Sequence, residues 1–343
     1  MSNVPSLDVI VLTYNRATLF EKTLRSVCDQ TYPDFTVKVL NNGSTDNTEE
    51  VFNKVKAEYP HRRFDYLKLK ENHRDDYYIE QRNKFITADY VIVFHDDDLM
   101  HPRYVEYLMK IIPEHPECVF LGGKKKISET PEELEWDEPK GDFVIKDIHH
   151  LIKEYLRGNS LTYPSICYKS KYLKEIPYRQ DLYGYAGDIA LEMDIAEHGK
   201  VCILSDCFMH YRIHKSQDSN NEHEKPNMQQ RINLVEKYAS VLLSGDDECK
   251  QEFFNMIIRM SDHVDSFTCV IMNKYRSISP EINLIFKKIF NKNSIRRSMS
   301  FHRIMFCLAK KTHFTSPKKY ARKYYKVKKR WLVISNISDV DGG

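Results

Sequence analysis

The stretch Tyr90-Val91-Ile92-Val93-Phe94-His95-Asp96-Asp97-Asp98-Leu99 constrains this chain more than any other. A short apolar run rich in Val and Ile predicts a strand buried on both faces, as in a parallel sheet covered by helices. The run stops on three consecutive carboxylates. Three adjacent Asp repel one another unless a cation or a bound donor uses their charge. In open α/β sheets, ligands sit beyond the carboxyl ends of the strands. Hard oxygen ligands without sulfur suit Mg2+ or Mn2+, which bind through one or two carboxylates together with substrate phosphates. The plainer alternative is a turn whose Asp side chains cap the helix starting near Pro102.

The surrounding sequence repeats one unit. Residues 7–12 predict a buried strand, 13–16 a polar loop, and 17–28 a helix with Leu19, Leu24 and Val27 on one side. After the break at Thr31-Tyr32-Pro33-Asp34, residues 35–40 predict a second strand ending in Asn41-Asn42-Gly43-Ser44-Thr45-Asp46. Thr45 or Asp46 is placed to cap a helix over 51–59. A third strand at 64–69 and a helix over 78–87 lead into the strand that meets the three Asp. Successive βα units of this length imply an α/β fold with a mostly parallel sheet and right-handed crossovers. Residues 113–180 read as irregular, with a helical piece at 148–156 and loop signals at Pro131, Pro139-Lys140-Gly141 and Pro164. Residues 188–198 predict a helix with Gly199 as its C-cap, and 201–204 a strand. From about Asn227 the pattern is helical, over 228–243, 249–260 and 279–290.

Charge is divided unevenly. Residues 287–330 hold 16 Lys or Arg and no Asp or Glu, so after Asp339 and Asp341 are subtracted residues 287–343 carry +14, against −11 for residues 1–286. An acidic body suits a metal-dependent enzyme, and a basic arm suits an anionic surface. Within the arm, Lys and Arg interleave with Phe290, Phe301, Phe306, Tyr320, Tyr324, Tyr325 and Trp331. Such segments lie in membrane interfaces and gain about 1 kcal/mol per basic residue near anionic lipid. Packing on the acidic body is the next reading, and nucleic acid is the least favoured. The 8 Cys are scattered without a CxxC pair, which points to reduced thiols in a cytoplasmic protein rather than to disulfides or zinc. No run approaches the roughly 20 apolar residues of a membrane span, and no secretory signal is expected from residues 1–8.

The motifs fall in a fixed order at the ends of the predicted strands: Val9-Ile10-Val11-Leu12-Thr13-Tyr14-Asn15-Arg16, Ser26-Val27-Cys28-Asp29-Gln30-Thr31-Tyr32-Pro33, Asn42-Gly43-Ser44-Thr45-Asp46-Asn47-Thr48, Gln81-Arg82-Asn83 and the three Asp. In this order and spacing, residues 6–216 resemble the family 2 glycosyltransferases, inverting enzymes of GT-A fold that use nucleotide-sugars. The resemblance implies a catalytic domain over 1–220, with a nucleotide-sugar half at 1–112 and an acceptor half at 113–220, followed by a helical region over 221–343. It implies that Thr13, Tyr14, Asn15 and Arg16 hold the uracil and ribose of a UDP-sugar. Asn41 and Asn42 belong to the second-strand motif, and Asn41 stands where the family usually has the Asp that accepts a bond from the base. An amide keeps an acceptor there without the charge. Arg82 contacts the donor or orders the Asp cluster. Laid against Leu99, Met100 and Pro102, the family's Asp-x-Asp-Asp pattern puts His95 at its first Asp. Asp97 is then the nearest Mn2+ or Mg2+ ligand, with Asp96 near the ribose and Asp98 in support; read as Asp-x-Asp, the pair is Asp96 and Asp98.

Downstream, Gly184-Tyr185-Ala186-Gly187-Asp188 matches the segment where the family places its general base. The resemblance gives that role to Asp188, with Glu192 and Asp194 as alternatives, while a helix N-cap is the structural reading of the same residue. In His210-Tyr211-Arg212-Ile213-His214, the family's closing segment implies that Arg212 neutralises phosphate and His214 completes the metal shell; His210 is read as structural. The expected enzyme is a metal-dependent hexosyl- or N-acetylhexosaminyltransferase. Its acceptor is a glycan or lipid-linked glycan of a surface polysaccharide, and it works in the cytoplasm, peripherally at the inner membrane face. The alternatives are a sugar-phosphate nucleotidyltransferase, disfavoured because residues 13–16 lack Gly, and a catalytically inert adaptor working through its basic arm.

Overall fold

A computed structural model describes residues 4–73, 76–215, 217, 227–260 and 266–291. The chain divides into two units, Met1–Gln230 and Arg231–Gly343. The first opens with β1 (Leu7–Thr13), α1 (Ala17–Cys28), β2 (Thr36–Asn41), α2 (Thr48–Glu58), β3 (Arg63–Lys68), α3 (Asp76–Phe85) and β4 (Tyr90–His95). It continues with β5 (Leu99–Met100), α4 (Tyr104–Ile111), β6 (Cys118–Ser128), β7 (Phe143–Lys146), α5 (Ile148–Leu156), β8 (Ile166–Lys169), α6 (Ser170–Glu175), α7 (Gln180–Tyr183), α8 (Gly187–Ala196) and β9 (Lys200–Arg212). The strands form one sheet of 9, in the order β3-β2-β1-β4-β8-β6-β9-β5, with β7 beside β9. The β3-β2-β1-β4 half is parallel, and β8 joins it antiparallel to β4. This is the mixed α/β architecture with a mainly parallel core that the repeated βα units implied.

Strand alternation sorts the core into two layers. Val9, Val11, Val37, Val39, Ile92 and Phe94 join Phe20, Leu24, Phe52, Val55 and Leu108 from α1, α2 and α4. Ile10, Leu40, Val91 and Val93 join Leu151, Tyr155, Leu173, Leu191 and Ile195 from α5, α6 and α8. Each wholly buried aliphatic or Phe side chain contributes roughly 1.5–3 kcal/mol relative to its exposed state, so both faces of the sheet repay the ordering of their helices. One buried ion pair interrupts this apolar pattern. Lys38 Nζ lies 3.2 Å from Asp8 Oδ2, with each side chain 2% exposed. The ammonium also donates to the Phe85 carbonyl at 2.8 Å and to Thr87 Oγ1 at 2.7 Å. Asp8 Oδ2 accepts from the Thr87 and Ala88 amides at 2.8 and 3.0 Å. A slip of β2 by one residue would turn Lys38 to the wrong face, so the pair fixes register as well as charge.

The irregular middle expected between residues 113 and 180 is where structure and sequence differ most. β6 is an 11-residue strand paired in parallel with the 13-residue β9 through several register shifts. Gly122-Gly123 and Lys124-Lys125-Lys126 disguise it, because they break the apolar run just where the strand passes from buried to exposed. β9 runs on to Arg212, well past the strand expected at 201–204, so His210-Tyr211-Arg212 lies on a strand. Its far end pairs antiparallel with β5, with Leu99 opposite His210 and Met100 opposite Met209.

The second unit carries α9 (Met228–Leu242, which begins just before the division), α10 (Asp247–Met260), α11 (Ser266–Tyr275) and α12 (Pro280–Asn291). α10, α11 and α12 pack on one another, with Phe253 edge-on to Tyr275 at 4.9 Å between ring centroids. No described helix is long and apolar enough to cross a membrane. The basic arm expected at 287–330 lies outside the described residues from 292 onward.

Candidate active site

Two loops at the carboxyl end of the parallel strands hold one another. α1 has no side-chain cap of its own; Asp46 Oδ2, from the loop after β2, accepts the Ala17 amide at 3.1 Å. Asp46 Oδ1 accepts the Thr48 amide at 3.1 Å at the start of α2. One carboxylate thus serves two helix N-termini, where negative charge is stabilised. Burial would raise its pKa, but Thr48 and the backbone donors hold it below the ordinary carboxylate value. Asn15, at φ +50°, returns the contact. Its amide donates to Ser44 Oγ at 2.9 Å and its Oδ1 accepts the Thr45 amide at 2.8 Å. Gly43, at φ +79°, runs so close to residue 71 that a Cβ would sit 2.5 Å from its backbone.

Inside this frame the expected donor residues separate. Thr13, Tyr14, Asn15, Arg16, Asn42, Arg82, His95, Asp96, Asp97 and Asp188 line one cleft of about 1570 Å³. Asn41 does not reach it. Wholly buried, Asn41 donates to the Tyr66 hydroxyl at 2.8 Å and accepts the Ser44 amide at 2.7 Å. Its amide shapes the loop from beneath, where the sequence expectation had it meeting the base. Asn42 staples the wall instead, bonding Asn72 Oδ1 at 2.8 Å and the His73 carbonyl and amide at 2.7 and 2.9 Å. Arg82, 3% exposed, donates to the Tyr163 hydroxyl at 2.7 Å and to Asn83 Oδ1. These bonds set it on the cleft wall rather than in the Asp cluster.

The three Asp face different partners. Asp96 accepts the Tyr14 amide at 3.2 Å and Arg16 Nη1 at 3.1 Å, and the same Arg16 nitrogen lies 3.2 Å from Asp97 Oδ2. Burial pushes the Asp96 carboxyl up to about 6 against the pull of Arg16. Asp97 Oδ2 is also 2.9 Å from His214 Nε2. Asp98 is wholly buried; its Oδ1 accepts the Arg212 amide at 2.9 Å, and its Oδ2 has no hydrogen-bond partner among the described residues. Burial first, and then the neighbouring Asp97, push the Asp98 carboxyl well above its ordinary value.

A divalent cation fits these residues. His95, Asp97 and Asp98 each bring one ligand atom within 4.8 Å of the others, and the buried Oδ2 of Asp98, without a hydrogen-bond partner among the described residues, is an acceptor that a cation would satisfy. The imidazole in this cluster is that of His95, at the position where the sequence pattern departs from Asp. That departure was the signal that marks it, although the sequence reading gave it no ligand role. His214, expected as a ligand, reaches the cluster through its contact with Asp97.

Arg212 departs from expectation. It is 6% exposed and absent from the cleft lining. Its Nε donates to the Asp97 carbonyl at 2.9 Å, and its two terminal nitrogens form a bidentate pair with Glu132 at 2.9 and 2.5 Å. A guanidinium used up in this way does not face a phosphate. Nothing in the sequence singled out Glu132, which sits in a short 3-10 turn at Pro131–Glu133. Burial opposes its charge, yet its bonds to Arg212 and Lys22 hold its carboxyl down to about 2.

Across the cleft, Asp188 occupies the first turn of α8. The N-cap position of that helix is Ala186, with no side-chain cap bond, so Asp188 does not hold the N-cap position considered from sequence. Asp188 Oδ1 accepts the Ile189 amide at 2.7 Å. Burial raises its pKa, while the adjacent amides and the charge of Lys125 pull against that rise. Glu192, one turn on, is 1% exposed and accepts the hydroxyls of Tyr155 and Tyr168, which removes it from the cleft.

Residues 8–173 match the family model for Glycosyl transferase family 2. This part of the chain is a family 2 glycosyltransferase domain. An uncharacterised glycosyltransferase of Rickettsia felis is 24% identical over 237 residues, which cover 65% of this chain and 37% of the relative. The chain therefore spans little more than a third of that relative's length. Staphylococcus aureus TarS 1–349, solved in complex with UDP-GlcNAc, is similar with a TM-score of 0.50 and 16% identity, over 82% of this chain and 88% of that one. The mannosyltransferase PcManGT of Pyrobaculum calidifontis, solved with GDP-Man and Mn2+, gives a TM-score of 0.52 and 15% identity, over 99% of this chain and 88% of that one. At these identities the likeness is one of fold. The glycosyltransferase domain has the GT-A architecture.

Proposed function

We propose that the chain transfers a hexosyl or N-acetylhexosaminyl group from a UDP-sugar to a hydroxyl of a glycan or lipid-linked glycan, with inversion, in the assembly of a surface polysaccharide. The observation that carries this reading is that Asp188, from α8, lines the same cleft as Asp96, Asp97 and the loop 13–16 at the ends of β1 and β4. A single displacement asks the protein for one base and one place for the leaving diphosphate. Asp188 takes the acceptor proton as the acceptor oxygen bonds to the anomeric carbon and the bond to the nucleoside diphosphate breaks. A divalent cation held by Asp97, Asp98 and His95, with His214 beside Asp97, would supply charge to the departing diphosphate. Tyr14, Arg16, Asn42 and Arg82 form the donor wall. The bound UDP-GlcNAc of TarS and the GDP-Man and Mn2+ of PcManGT support a nucleotide-sugar donor and a cation of the Mn2+ or Mg2+ class.

The excess charge of residues 287–343 supports a further part of the proposal, that the arm draws the enzyme to an anionic membrane surface on the cytoplasmic side, where a lipid-linked acceptor would lie. The central test is isothermal titration of the full chain with UDP, with and without Mn2+, beside the variant Asp188→Asn. The expected outcome is Mn2+-dependent UDP binding in both proteins, and sugar transfer lost at least about a thousandfold in the variant. Normal transfer by Asp188→Asn would remove the base, and UDP binding indifferent to Mn2+ would remove the cation.

A further inference from the structure

Two arginines flank the acidic cluster, and they behave in opposite ways. Arg16 places Nη1 within 3.2 Å of both the Asp96 and the Asp97 carboxylates. Arg212 is just as near in the chain path, since β9 runs beside β5 with His210 opposite Leu99. Yet its hydrogen bonds leave the Asp97 carboxylate untouched, although its charge already opposes the rise of the Asp98 pKa. Its amide goes to Asp98 Oδ1 at 2.9 Å and its Nε to the Asp97 carbonyl at 2.9 Å. The charged fork is turned away onto Glu132, which Lys22 of α1 also reaches at 2.7 Å. Further bonds close the arrangement. Thr23 donates to the Asp98 carbonyl at 2.7 Å, Gln217 Nε2 donates to the Arg212 carbonyl at 2.6 Å, and Gln217 Oε1 accepts the His214 amide at 3.3 Å.

We infer that Glu132 is a positioning residue for the cation site: it neutralises and turns away Arg212, leaving the carboxylates of Asp97 and Asp98 for a divalent ion. The inference rests on the cation reading given above and adds to it a residue outside the cleft. A guanidinium released from Glu132 has two carboxylates within reach of its own backbone contacts. It would pair with them as Arg16 does, opposing a divalent ion by direct competition and by like charge. Asp98 Oδ2, buried with no hydrogen-bond partner among the described residues, is the oxygen it would take. Glu132 thereby also fixes the geometry of the Asp97–Asp98 turn, because the Arg212 stem is the strut between that turn and β9.

The test is Mn2+ binding by the full chain with the metal alone, read by titration calorimetry and by the free-Mn2+ electron-spin signal, without any donor or turnover. Glu132→Gln keeps the shape and removes the charge; its dissociation constant for Mn2+ should rise about tenfold or more. Glu132→Asp should recover part of that loss. Lys22→Met, which leaves the Arg212 pair in place, should change it less than about threefold. Mn2+ affinity in a folded Glu132→Gln equal to that of the parent overturns the inference and leaves the proposed reaction standing. A parent chain that binds no Mn2+ overturns the cation reading and this inference with it. Should Glu132→Gln fail to fold, Glu132→Asp carries the test alone: an affinity weakened about threefold or more supports the role, and parent affinity overturns it.

Discussion

Asp188 and Lys125 are two residues whose charges set one another. Lys125 sits on β6 with its ammonium over the Tyr211 ring, 5.3 Å from the centroid, and Tyr211 lines the cleft that Asp188 lines. Burial lowers the Lys125 pKa, while Asp188 is first among the charges that raise it. On the carboxyl side the signs reverse: burial raises Asp188, and Lys125 opposes the rise. A base must be ionised to accept a proton, so activity should fall as pH drops through a value raised above that of an ordinary aspartate. Removing the cation in Lys125→Met raises the Asp188 pKa further, moving the acid limb of the kcat/KM profile to higher pH. A shift of one unit corresponds to about 1.4 kcal/mol between the two protonation states. A pH–rate profile of parent and variant checks this, and a limb that stays in place would separate Lys125 from the base.

At the scale of elements, the sheet is held by burial on both faces and by one ion pair that spans β1 and β2. Removing one partner from a buried pair leaves the other charge without compensation, at a cost of about 3–5 kcal/mol. Lys38→Met should destabilise the first unit by that order in urea denaturation, and Lys38→Met/Asp8→Asn should recover part of it. The parallel half of the sheet was legible in the sequence because its strands are buried on both faces and its helices carry an apolar stripe. The predicted strands at 7–12, 35–40, 64–69 and 90–95 lie within a residue or so of β1 to β4. β6 was not legible, since two glycines and three lysines interrupt its pattern, and its pairing with β9 depends on residues some 80 positions away. The site divides in the same way. Residues at strand ends, such as Tyr14, Arg16 and Asp97, are readable from their position. Whether Asn41 or Arg212 faces ligand or protein depends on Tyr66 and Glu132, partners that no local motif announces.

The whole molecule sets an acidic body against a basic arm. Of the 16 Lys and Arg in residues 287–330, 14 lie at or after Lys292. Removing residues 292–343 leaves every described helix intact, so the arm can be tested apart from the fold. Flotation with vesicles rich in phosphatidylserine should recover the full chain and lose most of it at 0.5 M salt, where screening shortens electrostatic reach to a few ångströms. The shortened chain should remain in the pellet fraction at either salt. Equal flotation of the two forms would assign membrane binding elsewhere or to none of the chain.

The carboxylate of Asp46 ties the starts of α1 and α2 together, and Asn15 ties the loop after β1 to the loop after β2. Residues 13–17 and 41–48 therefore change as a single cassette. Exchanging one of them with a relative of different donor preference strands the other, whereas exchanging both keeps their mutual hydrogen bonds intact. Drift in donor choice along this lineage is thus expected to come in paired steps across two loops about 30 residues apart in the sequence.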